Sequence, residues 1–413
     1  MNKSVFLKYG TGQIPFVLPG ETEFLQIEEP EKRINREKFE ALLICKLREL
    51  NPDLTNIAIV VADKTRLCGY PTYLPILLNI LKKYGAKPDN ITIFIAYGTH
   101  SRQTDKECVA AYGRIYSDYC FVHHECGNGK LFKKLGETTR KNPVYVRRDI
   151  IKSGFVITFG AISHHYFAGY GGGRKLLFPG LGLKDAIYQN HSLFLDKDCK
   201  RLSPYCTAGV LDKNQVSEDL EEIETFKPAD LAIHGILNAK GNVCDLLFST
   251  DVEGFRNACK EHGKNCEIPA GLKKYDLVVG SCGGYPKDIN FIQSHKGIEN
   301  AAGFVRDRGS LIFFAKCPEQ IGSETFLQWF KTGSRSKAFS ELAGNYQGNG
   351  GTALSVMFKT ERTNIFLVTD LSDSIVKTTG IKKVSITGAQ EVANRISGNV
   401  AVIPNASLVV GKN

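Results

Sequence analysis

Ile57-Ala58-Ile59-Val60-Val61-Ala62-Asp63-Lys64-Thr65-Arg66 is the stretch on which the fold turns. Residues 57–61 form a short, wholly apolar and β-branched run, too short for a helix that would bury every face, and the chain turns polar at Asp63. That is the pattern of a strand covered on both faces, as in a parallel sheet. Residues 73–84 follow with Leu74, Leu77, Leu78 and Leu81 on one helical face. Residues 91–95 and 155–159 repeat the apolar run, and residues 104–112 read as another helix. Strand–helix alternation of this kind predicts an α/β fold with largely parallel sheets.

A second strand series follows at residues 277–279, 311–314, 365–369 and 384–386. With 413 residues the chain exceeds a single core, so two α/β domains are expected, with the active site in the cleft between them. Pro269 and Gly271 mark the boundary, giving residues 1–268 as the first domain and 269–403 as the second. The tail, 404–413, is expected to return to the first domain through a strand at 408–410. The glycine-rich segment 344–351 reads as a surface loop.

Composition narrows the function classes. Hydrophobic residues are 42% and charged residues 23%, an average globular balance, and no apolar run reaches membrane-spanning length. The N-terminus lacks a signal-peptide core, because Gly10, Gly12 and Pro15 interrupt it. Twelve cysteines without a C-x-x-C pair fit reduced thiols in a cytoplasmic protein. The net charge of +10 is spread along the chain, which favours small anionic ligands over nucleic acid or a membrane surface.

In open α/β sheets the ligand lies beyond the carboxyl ends of the strands. Three ends are loaded: Asp63-Lys64-Thr65-Arg66, Gly98-Thr99-His100 and Ser163-His164-His165-Tyr166. Imidazoles from two strand ends suit proton removal and return at one carbon, although a single histidine is commonly only a cap or a buried hydrogen-bond partner. Gly169-Tyr170-Gly171-Gly172-Gly173-Arg174-Lys175 resembles an anion cradle. It is not a Walker A loop, since Arg174 precedes Lys175 and Leu176 follows it. Lys175 is instead a candidate covalent anchor. His123-His124-Glu125-Cys126 is assigned to structure, because neighbours on a strand face opposite ways.

Together these motifs resemble the nickel-pincer-nucleotide-dependent lactate racemase family. The likeness also rests on Pro179-Gly180, on His191, and on Gly283-Gly284-Tyr285-Pro286-Lys287-Asp288 with Gln293 and Lys296. It implies a racemase or epimerase of a small 2-hydroxy acid. It implies a cofactor in which nickel is bound to pyridinium-3-thioamide-5-thiocarboxylic acid mononucleotide, joined covalently to Lys175. His191 would be the metal ligand, and His100 and His165 the two acid–base groups. Asp63, Thr65, Gly171, Gly172, Gly173 and Arg174 would bind the cofactor, while Arg66, Tyr285, Gln293 and Lys296 would bind substrate. Cofactor-building proteins would be partners, and an oligomer is compatible with the chain. Two departures from the pattern bear on the substrate. Ser101 and Arg102 follow His100, and Gln215 stands where a proline is expected after Asn214. The alternatives are a pyridoxal-phosphate enzyme using Lys175 as its Schiff-base lysine, and a non-catalytic nucleotide- or cofactor-binding protein.

Overall fold

The computed structural model describes residues 3–269 and 273–412. Two six-stranded sheets organise it. In the first, the order is Val243–Ser249, Leu231–Leu237, Phe155–Ala161, Ile57–Ala62, Ile91–Ala96 and Cys120–His123. Every pairing is parallel except that of the edge strand Val243–Ser249. All six residues of Ile57–Ala62 are buried, as expected of a central strand with helices on both faces. Each buried Val or Ile there contributes roughly 1.5–3 kcal/mol.

The second sheet runs Lys382–Lys383, Asn364–Val368, Val305–Phe314, Tyr275–Ser281, Val400–Ile403 and Thr22–Phe24, parallel throughout. Here the domain expectation needs correcting. Thr22–Phe24 pairs with Val400–Ile403, and the hairpin Lys3–Tyr9/Gly12–Leu18 buries Leu7, Phe16 and Leu18 against Val279, Ile312, Phe314 and Val402. Residues 3–24 therefore belong to the second sheet, where the hairpin covers an apolar face that the chain would otherwise leave open. The crossover takes the chain through Arg36–Leu50, a helix capped by Asn35 that packs Phe39, Leu43 and Leu47 on the first sheet.

Of the expected boundary, Ala270 and Gly271 lie outside the described residues. Immediately before them Glu267–Pro269 pairs in parallel with Val410–Lys412, slightly beyond the strand expected at 408–410. The strand expected at 384–386 is absent. Ser385 accepts a hydrogen bond from the Gly388 N–H and caps the helix Ile386–Arg395, so the local capping bond overrides the short apolar pattern. The segment 344–351 is also more ordered than a surface loop. Gly350 and Gly351 are buried in the first turn of Gly350–Arg362, and a Cβ on Gly351 would lie 2.3 Å from the Tyr346 hydroxyl. Among the described residues no helix is long and apolar enough to cross a membrane.

Candidate active site

The three loaded strand ends meet. Asp63 and Arg66, Gly98 to His100, His165, Lys175, Pro179 and His191 bound one cavity of about 710 Å³ at the carboxyl edge of the first sheet. A wider cleft of about 1770 Å³ continues to the second domain, where Tyr285, Gln293 and Lys296 face Thr65, Arg66 and His165. Arg66 and His165 line both spaces and so join them.

Asp63 is the most firmly held group. The turn after Ala62 closes with a hydrogen bond from the Arg66 N–H to the Asp63 carbonyl, and the Thr65 N–H and hydroxyl both donate to Asp63 Oδ1 at 2.8 and 2.6 Å. The other oxygen, Oδ2, lies 2.6 Å from His100 Nδ1. Burial alone would raise this carboxyl; hydrogen bonding and positive charge from His100, with Thr65 and Arg66, more than reverse that and hold it well below the usual carboxylate range. Asp63 therefore orients His100, a pairing absent from the sequence expectation.

His165 ends the strand Ser163–His165, whose alternation sends His164 the other way, to within 3.4 Å of Glu267 Oε1. His165 Nδ1 takes the Ala168 N–H at 3.3 Å, and its ring stacks on Tyr166 and meets the edge of Phe167. Burial, reinforced by Lys175, Arg66 and Lys296, depresses its basicity well below the ordinary histidine range. Lys175 is 8% exposed and forms no ion pair among the described residues. Burial, with Arg66, Arg174 and Lys296 nearby, lowers its pKa well below the ordinary lysine value and so favours a neutral, nucleophilic amine. His191, near the end of the helix Lys184–Ser192, is held by ring contacts with Phe167 and Tyr346. Burial, then Lys175 and His100, lower its pKa to about 3, so it presents a neutral imidazole.

The glycine run is required by its own packing. Gly172 and Gly173 have φ of +84° and +50°, and a Cβ on them would lie 2.3 Å from the Ala161 carbonyl and 2.4 Å from the Phe255 ring. These glycines let the loop turn against the strand end. Gly171 leaves room for the Arg66 guanidinium, which a Cβ would approach to 2.9 Å. The turn sends Arg174 away from the cavity. Its Nη2 donates to Ser217 Oγ at 2.7 Å and its guanidinium covers Phe255, so the expected role of Arg174 at the cofactor is not met by its position.

Across the cleft, Asn290 caps the helix Phe291–Ala302, whose first turns carry Gln293 and Lys296. Lys296 Nζ donates to Gln293 Oε1 at 2.8 Å, and burial beside Arg66 and Lys287 lowers its pKa to about 7. Tyr285 stands at the mouth, 60% exposed. The sequence reading missed Phe167 and Tyr346, which frame His191. Tyr346 sits inside the glycine-rich segment, and that unusual setting was the available signal.

Family models for the lactate racemase N-terminal and C-terminal domains match residues 9–203 and 271–410. A lactate racemase of Thermoanaerobacterium thermosaccharolyticum is 30% identical over 344 residues, covering 79% of this chain and 78% of that one. The chain belongs to the lactate racemase family. It is accordingly an isomerase of the racemase type. A family member from Lactiplantibacillus plantarum, also a lactate racemase, is 29% identical over 291 residues, 68% of this chain and 65% of its own. The fold agrees with the lactate racemase apoprotein structure from T. thermosaccharolyticum, at a TM-score of 0.88 and 23% identity over the whole of both chains. A Thermotoga maritima protein structure matches with a TM-score of 0.68 and 14% identity, over 93% of this chain and all of that one.

Proposed function

We propose that the chain racemises lactate or a closely related 2-hydroxycarboxylate, with the substrate in the cleft between Arg66, His165, Gln293 and Lys296. The observation that carries this reading is the convergence of two histidines and two cations, Arg66 and Lys296, that form no ion pair among the described residues, on two joined cavities. Arg66 and Lys296 take the substrate carboxylate, for which a forked guanidinium is well shaped. Gln293 holds Lys296 in place, and Tyr285 covers the entrance. His100, backed by Asp63, and His165 reach the 2-hydroxyl.

The residues fit the nickel-pincer nucleotide. Lys175 offers a neutral buried amine for a covalent link, and His191, whose ring makes no hydrogen bond among the described residues, offers one imidazole to the metal. Among the described residues no three His, Cys, Asp or Glu side chains gather around one point. A metal here would thus draw its remaining donors from an organic group. When bound, that group would supply an acceptor for the hydride that leaves C2 of the substrate. Gly172 and Asp63 line the cavity with Lys175 and His191 and would receive it, while Thr65 would act by holding Asp63. Cofactor-building proteins supply it in the cell. All twelve cysteines are free thiols, which supports a cytoplasmic setting.

The test is direct. Protein produced with the cofactor-building proteins and given L-lactate should accumulate D-lactate until the two are equal, as read by chiral chromatography. Lactate and related 2-hydroxy acids that stay enantiopure would refute the proposal.

A further inference from the structure

One side chain of the first domain reaches both helices of the second domain that border the site. Tyr166 follows His165, and its ring lies 5.4 Å from the His165 ring with only 18° between their planes. Its hydroxyl shares a hydrogen bond of 2.8 Å with Thr352 Oγ1, in the first turn of Gly350–Arg362. The Tyr166 and His295 rings meet edge to face at 4.8 Å, and His295 stands between Gln293 and Lys296 in the helix Phe291–Ala302. Glu299 ties those two helices together, accepting from Ser355 Oγ at 2.5 Å and pairing with Lys359 Nζ at 2.8 Å, so what fixes one fixes the other. Gly351 lets its helix start so near the first domain: a Cβ there would lie 3.4 Å from Phe194, whose ring meets Tyr166 edge-on at 6.0 Å. Thr352 is buried and lines neither cavity. Burial raises the Tyr166 hydroxyl well above the ordinary tyrosine range, so it stays a neutral phenol.

We propose that Tyr166 is a positioning residue: pinned to Thr352, it holds His165 of the first domain in alignment with Gln293 and Lys296 of the second. The catalytic consequence rests on the racemase reading above, whereas the coupling between the domains stands without it. The proposed substrate spans the cleft, with His165 and Arg66 on one side and Gln293 and Lys296 on the other. A misplacement of about 1 Å between such groups costs on the order of 10²-fold in rate. The phenol is a rigid plate, stacked on the imidazole at its face and bonded to the second domain at its far end. A shift of the helix Gly350–Arg362 is therefore carried to His165 instead of being absorbed in a flexible chain. Phenylalanine at 166 would keep the stack and lose the pin.

Two measurements test this. In the full chain labelled with ¹⁵N-histidine, Thr352→Val should shift the ring signals of both His165 and His295, while Thr352→Ser, which keeps the hydroxyl, should leave them near wild type. His234, bonded to Ser249 Oγ at 2.7 Å on the first sheet, is the internal control and should not move. A His165 signal that ignores Thr352→Val overturns the proposal whether or not the chain racemises anything. Should Thr352→Val fail to fold, Tyr166→Phe, which keeps the stacked ring, is read in the same way. In the active holoenzyme, Tyr166→Phe and Thr352→Val should each lower kcat roughly ten- to hundredfold in both directions, with KM within about threefold because Arg66 and Lys296 remain. The double variant should be no slower than the slower single, since both cut one bond. Losses that multiply, or Tyr166→Phe within about threefold of wild type, would overturn the positioning role. A wild-type holoenzyme inactive on every 2-hydroxy acid would instead sink the proposed function, leaving the coupling to be decided by the spectra.

Discussion

Replacing Asp63 by asparagine removes one charge and leaves a side chain of nearly the same shape. The Thr65 N–H and hydroxyl would keep an amide oxygen as acceptor in place of Oδ1, so the turn should survive and the melting temperature should change little. What is lost is the short bond at 2.6 Å from the His100 ring to an ionised oxygen. A charge-assisted bond of this kind is worth roughly 1.5–3 kcal/mol, which at about 1.36 kcal/mol per decade is a ten- to hundredfold loss. The amide N–H also faces Nδ1 and favours the tautomer with its hydrogen on Nε2, where no proton can be accepted; the equivalent change in Ser–His–Asp enzymes costs about 10⁴-fold. Asp63→Asn should thus lower kcat by roughly 10²–10⁴-fold in both directions, with KM little changed because Arg66 and Lys296 remain. Initial rates on each lactate enantiomer, with circular dichroism melting as control, provide the assay. Activity within threefold of wild type would show that Asp63 does not set the His100 tautomer.

Further expectations concern the cations and the glycine turn. Lys175→Met should raise the stability of the cofactor-free chain at neutral pH by removing an unpartnered buried amine, and should abolish any covalent mass increment in intact-protein mass spectrometry; an adduct that survives would place the anchor elsewhere. Lys296 titrates at about 7 in the fold against about 10.4 unfolded, so between those values the unfolded chain binds the extra proton and stability climbs with pH. Below about pH 7 both states are protonated and this contribution levels off; denaturant melts from pH 6 to 10 should show the rise, and Lys296→Met should flatten it. Gly172→Ala adds a Cβ at positive φ, 2.3 Å from the Ala161 carbonyl, so a loss of at least about 1–2 kcal/mol in urea unfolding is expected; an unchanged midpoint would mean the turn is not constrained as described.

Much of this was written locally in the chain. The apolar runs at 57–62, 91–96 and 155–161 each end at the polar residues that meet in the cavity, because a parallel sheet places all such ends on one edge. What local pattern does not encode is partnership across distance. Thr22–Phe24 is three residues long, and only its pairing with Val400–Ile403 makes it a strand. Ser385 turned the short Val384-Ser385-Ile386 stretch into a helix start. Arg174 beside Lys175 invites a shared role, yet the two are successive residues of one short 3-10 turn and their side chains leave it in different directions. The Asp63–His100 bond joins two strand ends 37 residues apart, and it is visible only once the strands are side by side.

The central claim is that this cleft inverts C2 of a 2-hydroxy acid by moving its hydrogen within an enclosed site. The decisive measurement is the fate of that hydrogen: holoenzyme in ordinary water is given L-lactate carrying deuterium at C2, and the D-lactate formed is isolated and weighed by mass spectrometry. Deuterium kept in the D-lactate is the predicted result. D-lactate that has exchanged its deuterium for solvent hydrogen would contradict the account, because C2 would then have been deprotonated into water.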